Sequence, residues 1–198
     1  MQKLLLLFTL MIMAFALHGY WHESEIIHAA GVLVPGAPQQ TAIEEARTWT
    51  KDEYQIRALA QFSLEARVLG KERYWLDRAA DLSPIDLVLG WGPMSDQKIL
   101  DQLDISQSGR RYFWWARQPP LPAERINAHC ANMHMIPADE DIAIRLKEIR
   151  RGEIISLRGY LISVRAPDGW NWRSSLSRTD QGDGACEVIW VESLMIRD

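Results

Sequence analysis

Residues 54–68 read Tyr-Gln-Ile-Arg-Ala-Leu-Ala-Gln-Phe-Ser-Leu-Glu-Ala-Arg-Val, and the fold turns on the rhythm of that stretch. Tyr54, Ile56, Ala58, Ala60, Phe62, Leu64, Ala66 and Val68 are apolar at every second position, with Gln55, Arg57, Gln61, Ser63, Glu65 and Arg67 between them. Only Leu59 breaks the polar set. Side chains alternate across a strand with period two, so the pattern predicts a half-buried strand, either one long bent strand or two in succession. The alanines weaken β-propensity, but the alternation outweighs them.

Downstream, Ser83-Pro84 has the chemistry of a helix start, and Gly90 after Leu87-Val88-Leu89 that of a stop, which predicts a short helix. Trp91-Gly92-Pro93 turns the chain. Ser95 is then placed to cap a second helix running through Ile99 and Leu100 towards Leu103. The aromatic run Arg111-Tyr112-Phe113-Trp114-Trp115 reads as a strand, broken by Pro119-Pro120 and Pro122. After Pro137, Asp139-Glu140-Asp141 puts acid in the first turn of a helix with the stripe Ile142, Leu146, Ile149. Lys147, Arg150 and Arg151 put base in its last turn before Gly152. A strand from Glu153 to Val164 contains Gly159, where a bulge or sharp coil is expected. Pro167-Asp168-Gly169 turns into a second strand through Trp170, Trp172, Ser174 and Leu176. The segment around Gly182 and Gly184 leads to a third from Cys186 to Leu194, completing a three-stranded meander.

Upstream the character changes. Met1-Gln2-Lys3 is followed by Leu4 to Leu17, apolar throughout except for Thr9, the pattern of a positive n-region and an apolar h-region. Two readings stay open for residues 1–21. Ala14-Phe15-Ala16 offers a signal-peptidase site, whereas an anchor needs at least about 17 apolar residues, a length reached only by counting to Trp21. The Tyr20-Trp21 pair, suited to the headgroup level, tips the reading towards an uncleaved membrane anchor. Lys3 keeps the amino terminus inside, so the rest of the chain is expected outside the cytoplasm, anchored in the bacterial inner membrane or secreted to the periplasm. Residues 22–50, with Pro35-Gly36-Ala37-Pro38-Gln39-Gln40, read as an extended tether, with a short helix over Ala42 to Trp49 packed on the head as the alternative for its end, and residues 51–198 read as a single globular domain.

The chain carries a net charge of −4. Lys3, Arg47, Glu23, Glu25, Glu44 and Glu45 lie outside residues 51–198, which leaves −2 on the domain. That balance argues against nucleic acid as a partner, since such binding rests on neutralising phosphates. Arg110-Arg111 and Lys147, Arg150 and Arg151 read as solvated surface.

The whole layout resembles an OB-like small β-barrel of the α+β class, in which a helix precedes the C-terminal three-stranded meander. Asp81 to Pro84 through Trp91 to Asp96, Asn132 to Ala138, and Gly184-Ala185-Cys186-Glu187 resemble segments of an uncharacterised family of bacterial exported or membrane-tethered proteins. The resemblance spans most of residues 54–194 and implies no activity and no functional residues.

Candidate chemistry is sparse. His129 and His134 stand five apart, a spacing that suits neither one helix face nor one strand face, so they read as structural and no metal or cofactor is assigned. Cys130 and Cys186 are the only cysteines. They read as buried small apolar residues, with a disulfide between them as the competing reading in an oxidising compartment. Nine tryptophans are many for this length; Trp170 and Trp172 share one strand face at a hairpin edge and are the ligand-binding candidates. The favoured function is non-catalytic binding of a protein, glycan or small ligand, with the membrane engaged through the N-terminal helix and an envelope protein or glycan as partner. The alternative is an extracytoplasmic hydrolase whose Cys186 thiolate is activated by His134 or His129, with Asp180, Asp183 or Glu187 orienting the ring. Against it, no nucleophile elbow surrounds Cys186, and its parity with Val188 and Trp190 points to the core.

Overall fold

A computed structural model describes residues 25–177 and 186–197. The leader (1–21), Gly182, Gly184, Asp180 and Asp183 lie outside the described residues. Among the described residues no helix is long and apolar enough to cross a membrane.

The chain forms a mostly β, mixed sheet with a few short helices. In order the elements are β1 (Gln39–Ala42), β2 (Thr48–Lys51), β3 (Tyr54–Arg73), β4 (Ile85–Gly90), α1 (Gln97–Leu100), β5 (Asp104–Ser108) and β6 (Arg111–Trp115). There follow α2 (Ala123–Asn127), β7 (Cys130–Pro137), α3 (Glu140–Glu148), β8 (Ile154–Arg165), β9 (Asn171–Arg173) and β10 (Glu187–Arg197). Five strands pair in a closed ring, β3 to β4, β4 to β7, β7 to β10, β10 to β8, and β8 back to β3. Every pairing is antiparallel except β7 with β10. β5 and β6 form a separate hairpin.

β3 closes the ring because it is long and bulged. Residues 55–67 pair with β8, and residues 67–73 with β4. The register shifts between Ala58 and Ala60 and again between Val68 and Gly70, so Leu59 and Leu69 are the extra residues. The shift at Leu59 explains how one unbroken alternation serves two cores. Ala58 lies opposite Ile162, and Ala60 opposite Leu161, its neighbour on the other face of β8. Tyr54, Ile56 and Ala58 accordingly pack with Tyr160, Ile162, Val188 and Trp190. Ala60, Phe62, Leu64, Ala66 and Val68 join a core fed by all five ring strands and by Ile142, Leu146 and Ile149.

α3 forms as the sequence reading predicts. Asp139 caps it, accepting a hydrogen bond from the Ile142 amide at 2.9 Å, and Leu146 is 1% exposed. Gly159 sits opposite Val191, beside the shift between Val191 and Ser193. A Cβ there would lie 1.9 Å from the Trp190 carbonyl oxygen, so close backbone approach demands glycine.

Four expectations are corrected. The helix expected between Ser83 and Gly90 is the strand β4, fully buried between β3 and β7; a short apolar run is ambiguous between helix and buried strand by periodicity alone. The helix expected from Ser95 is the single turn α1, capped by Asp96, because the Ser95 hydroxyl accepts the Leu33 and Val34 amides instead. The three C-terminal strands are not a meander, since β9 is three residues long and β10 lies between β7 and β8. The stretch expected as a tether is fastened to the domain over its described part. Ile26 N–H donates to the Arg151 carbonyl at 2.8 Å, Gly92 N–H to the Val34 carbonyl at 2.7 Å, and β1 and β2 both pair with β3.

Candidate functional site

On the outward side of β4 and β7, Asp86 and His134 stand directly opposite in register. Asp86 is 0% and His134 3% exposed. The buried carboxylate collects four neighbours: Arg110 Nη1 at 2.9 Å, His134 Nδ1 at 2.8 Å, and the more distant Asn132 Nδ2 and Ser83 Oγ, each at 3.4 Å. A carboxylate so deep is tolerated only with this degree of charge pairing and hydrogen bonding.

Arg110 holds the network together, contrary to the solvated role expected of it. It occupies the two-residue turn of the β5–β6 hairpin, at φ 65° after Gly109 at φ 57°. That geometry is natural for the first turn residue, glycine, and costly for an arginine. Its amide donates to Tyr74 Oη at 3.0 Å, and its guanidinium also reaches the Ser83 carbonyl and grips both oxygens of Asp77. The guanidinium carbon lies 4.0 Å from the Tyr74 ring centre and 5.7 Å from that of Trp172. The sequence signal is the glycine of Ser108-Gly109, which permits the tight hairpin turn that aims the next residue inward.

Trp170 and Trp172 come together at the rim, their ring centres 6.1 Å apart. Trp172 lies 4.7 Å from the His134 ring, and Trp170 meets Tyr54 edge-on at 5.8 Å. Arg78 sits over Trp170 at 4.9 Å and forks onto Asp168, at 2.6 and 2.9 Å. That fork, with the Trp170 amide, holds the Asp168 carboxyl down to about 2. The 74–84 loop and the β8–β9 turn are thereby locked to each other. Both tryptophans are half-buried, but the same loop carries Trp75 and Leu76, 74% and 98% exposed.

The hydrolase candidates have separate surroundings. The His134 imidazole is covered by Trp172 and faces Asp86. His129 Nδ1 is held 2.8 Å from the Arg125 carbonyl, one helical turn away, with its ring against Gly92. Cys130 is buried; its thiol donates to the Ile126 carbonyl at 3.3 Å and accepts from the Tyr112 hydroxyl at 3.2 Å, and burial pushes its pKa up to about 11. Cys186 is half-exposed, just ahead of β10. Both cysteines are thiols. The His134–Asp86 pair has the composition of a general base and its orienter, but no substrate atom reaches a ring this deeply covered. Among the described residues no cluster of three or more His, Cys, Asp or Glu side chains is arranged to hold a metal.

Compared with known protein families, with curated proteins and with solved structures, the chain matches none.

Proposed function

We propose that this chain is a non-catalytic binding protein of the bacterial envelope, exported or membrane-tethered, whose head is an OB-like small barrel. The barrel reading is supported by the closed ring of five strands and by α3, which lies between the third and fourth ring strands in chain order. One observation carries the binding reading: two loops clamped by Arg78 and Asp168 gather Trp170 and Trp172 at one rim and leave Trp75 and Leu76 projecting from it. Tryptophan, tyrosine and arginine on a pre-organised support are the composition of binding hot spots, and an exposed Trp-Leu pair has no other stabilising role in the fold. The ligand is an envelope glycan or protein.

A photoreactive residue in place of Leu76 tests this in intact cells. It should give a discrete adduct that is absent when the same probe replaces the exposed Glu148 on α3, and that fades in Trp170→Ala and Trp172→Ala. Identical adducts from both positions, or adducts indifferent to the tryptophans, would refute the reading. Mass spectrometry of the adduct separates glycan from protein.

A further inference from the structure

The face of the β8–β9 hairpin turned away from Trp172 carries a different chemistry. Where β2, β3, β8 and β9 lie side by side, register places Thr48, Arg57, Ser163 and Arg173 in one row and Gln55 and Arg165 in the next. Together they line a single shallow cleft. Arg165 is diagonal to both other arginines, so it lies about 7–8 Å from each. Arg57 and Arg173 flank Ser163, two strand spacings or about 10 Å apart. A guanidinium on its flexible stem spans half of such a gap, so all three can close on one small anion.

None of the three arginines has a carboxylate partner among the described residues. Of the arginines elsewhere, Arg78, Arg110, Arg150, Arg151 and Arg197 are paired with acids, and Arg67, Arg73 and Arg145 bond to carbonyl oxygens. Like charges on neighbouring strand positions destabilise a sheet, so folding gains nothing from this grouping. We propose that the Arg57–Arg165–Arg173 cleft is an oxyanion-binding site for a phosphate- or carboxylate-bearing ligand. Arginine forks match the planar edges of such groups, and Thr48, Ser163 and Gln55 supply neutral donors beside them. Although Thr48 of β2 lines it, the cleft is remote from Ile26, near where the described chain begins. Arg67, which contacts the Ile26 carbonyl, is ten residues along β3 from Arg57, or about 30 Å. An anchored chain would hold the cleft away from its own membrane, which favours an anion in solution or on a polymer over a lipid headgroup.

The test is calorimetric titration of the full chain in mild detergent at low salt, with sodium tripolyphosphate as probe. Affinity should fall at least tenfold in the Arg57→Gln/Arg173→Gln double variant, stay unchanged in Arg125→Gln, and weaken as sodium chloride is added. A double variant that binds like the parent, or a parent that does not bind, overturns the proposal. Urea melting guards against misfolding: relief of repulsion should leave the double variant at least as stable as the parent. Vesicles of phosphatidylglycerol, set against phosphatidylcholine, identify the source. An arginine-dependent gain on the anionic vesicles assigns the site to headgroups, and tripolyphosphate binding without that gain assigns it to a free or polymer-borne anion.

Discussion

Asp86 is the residue with most to lose from a single change. With the carboxylate removed, half-buried Arg110 keeps Asp77 while buried His134 loses its acid, so the cost is at most the roughly 3–5 kcal/mol of breaking a fully buried charge pair from one side. Asp86→Ala should therefore lower the urea midpoint severely, and Asp86→Asn, which keeps the shape and one acceptor, should lower it less. Equal melting of Asp86→Ala and the parent would show that the network contributes nothing to stability. The thiols give a second prediction. Near neutral pH, iodoacetamide should modify half-exposed Cys186 first and reach Cys130 only on unfolding, because the thiolate is the reactive form and burial holds Cys130 up at about 11. Peptide mass spectrometry reads the order directly. The sequence reading placed Cys186 in the core by parity with Val188 and Trp190; the strand begins one residue later, and parity has no meaning outside it. Trp170 and Trp172 were legible because they share a face within one hairpin. The Asp86–Arg110 pairing was not, because it joins two hairpins whose mutual placement no local pattern records.

Among the elements, those that show themselves in sequence are the ones whose pattern is local. α3 displays acid, stripe and base within one segment, and its Leu146 is buried as expected. Leu146→Ala should cost about 2–5 kcal/mol, measured by chemical denaturation, through lost burial and the cavity left behind. β3 shows its alternation equally plainly, yet the face switch at Leu59 is invisible because an inserted residue that swaps faces leaves a period-two sequence unchanged. β4 and β7 were missed for the opposite reason. Both are buried on two faces, so the alternation of a half-buried strand is absent, and β7 hides a histidine and an asparagine that Asp86, Arg110 and Gln107 make tolerable. The clamp between loops has its own pH signature. A carboxyl held down at about 2 stays ionised until the solution approaches that pH. The Arg78–Asp168 contribution is thus complete above the ordinary aspartate range, near 4, and is lost as pH falls from there through 2. Tryptophan fluorescence from the Trp170–Trp172 pair should change over that interval, and Asp168→Asn should abolish the Asp168-dependent part of the change.

At the scale of the whole molecule, the described part of the N-terminal segment belongs to the domain. Ile26 bonds to Arg151, His28 Nε2 lies 2.7 Å from the Gly152 carbonyl, and the Leu33 and Val34 amides occupy the Ser95 hydroxyl. Gly152, at φ 90°, leaves room for this contact, since a Cβ there would lie 2.0 Å from the Ile26 carbonyl oxygen. The Ile26 carbonyl and Gln97 in turn accept from Arg67, a buried guanidinium that makes no direct ion pair among the described residues. A chain starting at Lys51 would lose β1, most of β2 and every contact made by Ile26, His28, Leu33 and Val34, and would leave backbone donors and acceptors of β3 and of the Gly152 turn unpaired, each costing about 1–3 kcal/mol where it stays buried. Such a chain should fail to fold cooperatively, whereas a chain starting at Glu25 should melt within about 1 kcal/mol of the full-length protein. Parallel urea titrations followed by tryptophan fluorescence decide it, and a Lys51 chain with a sharp, parent-like transition would return the segment to the role of a spacer. The outcome also fixes the geometry of an anchored protein. Five Cα–Cα steps lead from Trp21 to Ile26 and reach at most about 18 Å, so an uncleaved leader would hold the Gly152 end of the ring against the membrane surface and direct the arginine cleft outward. A reporter fused after Asp198 should then be active only outside the cytoplasm, and activity confined to the cytoplasm would exclude that arrangement.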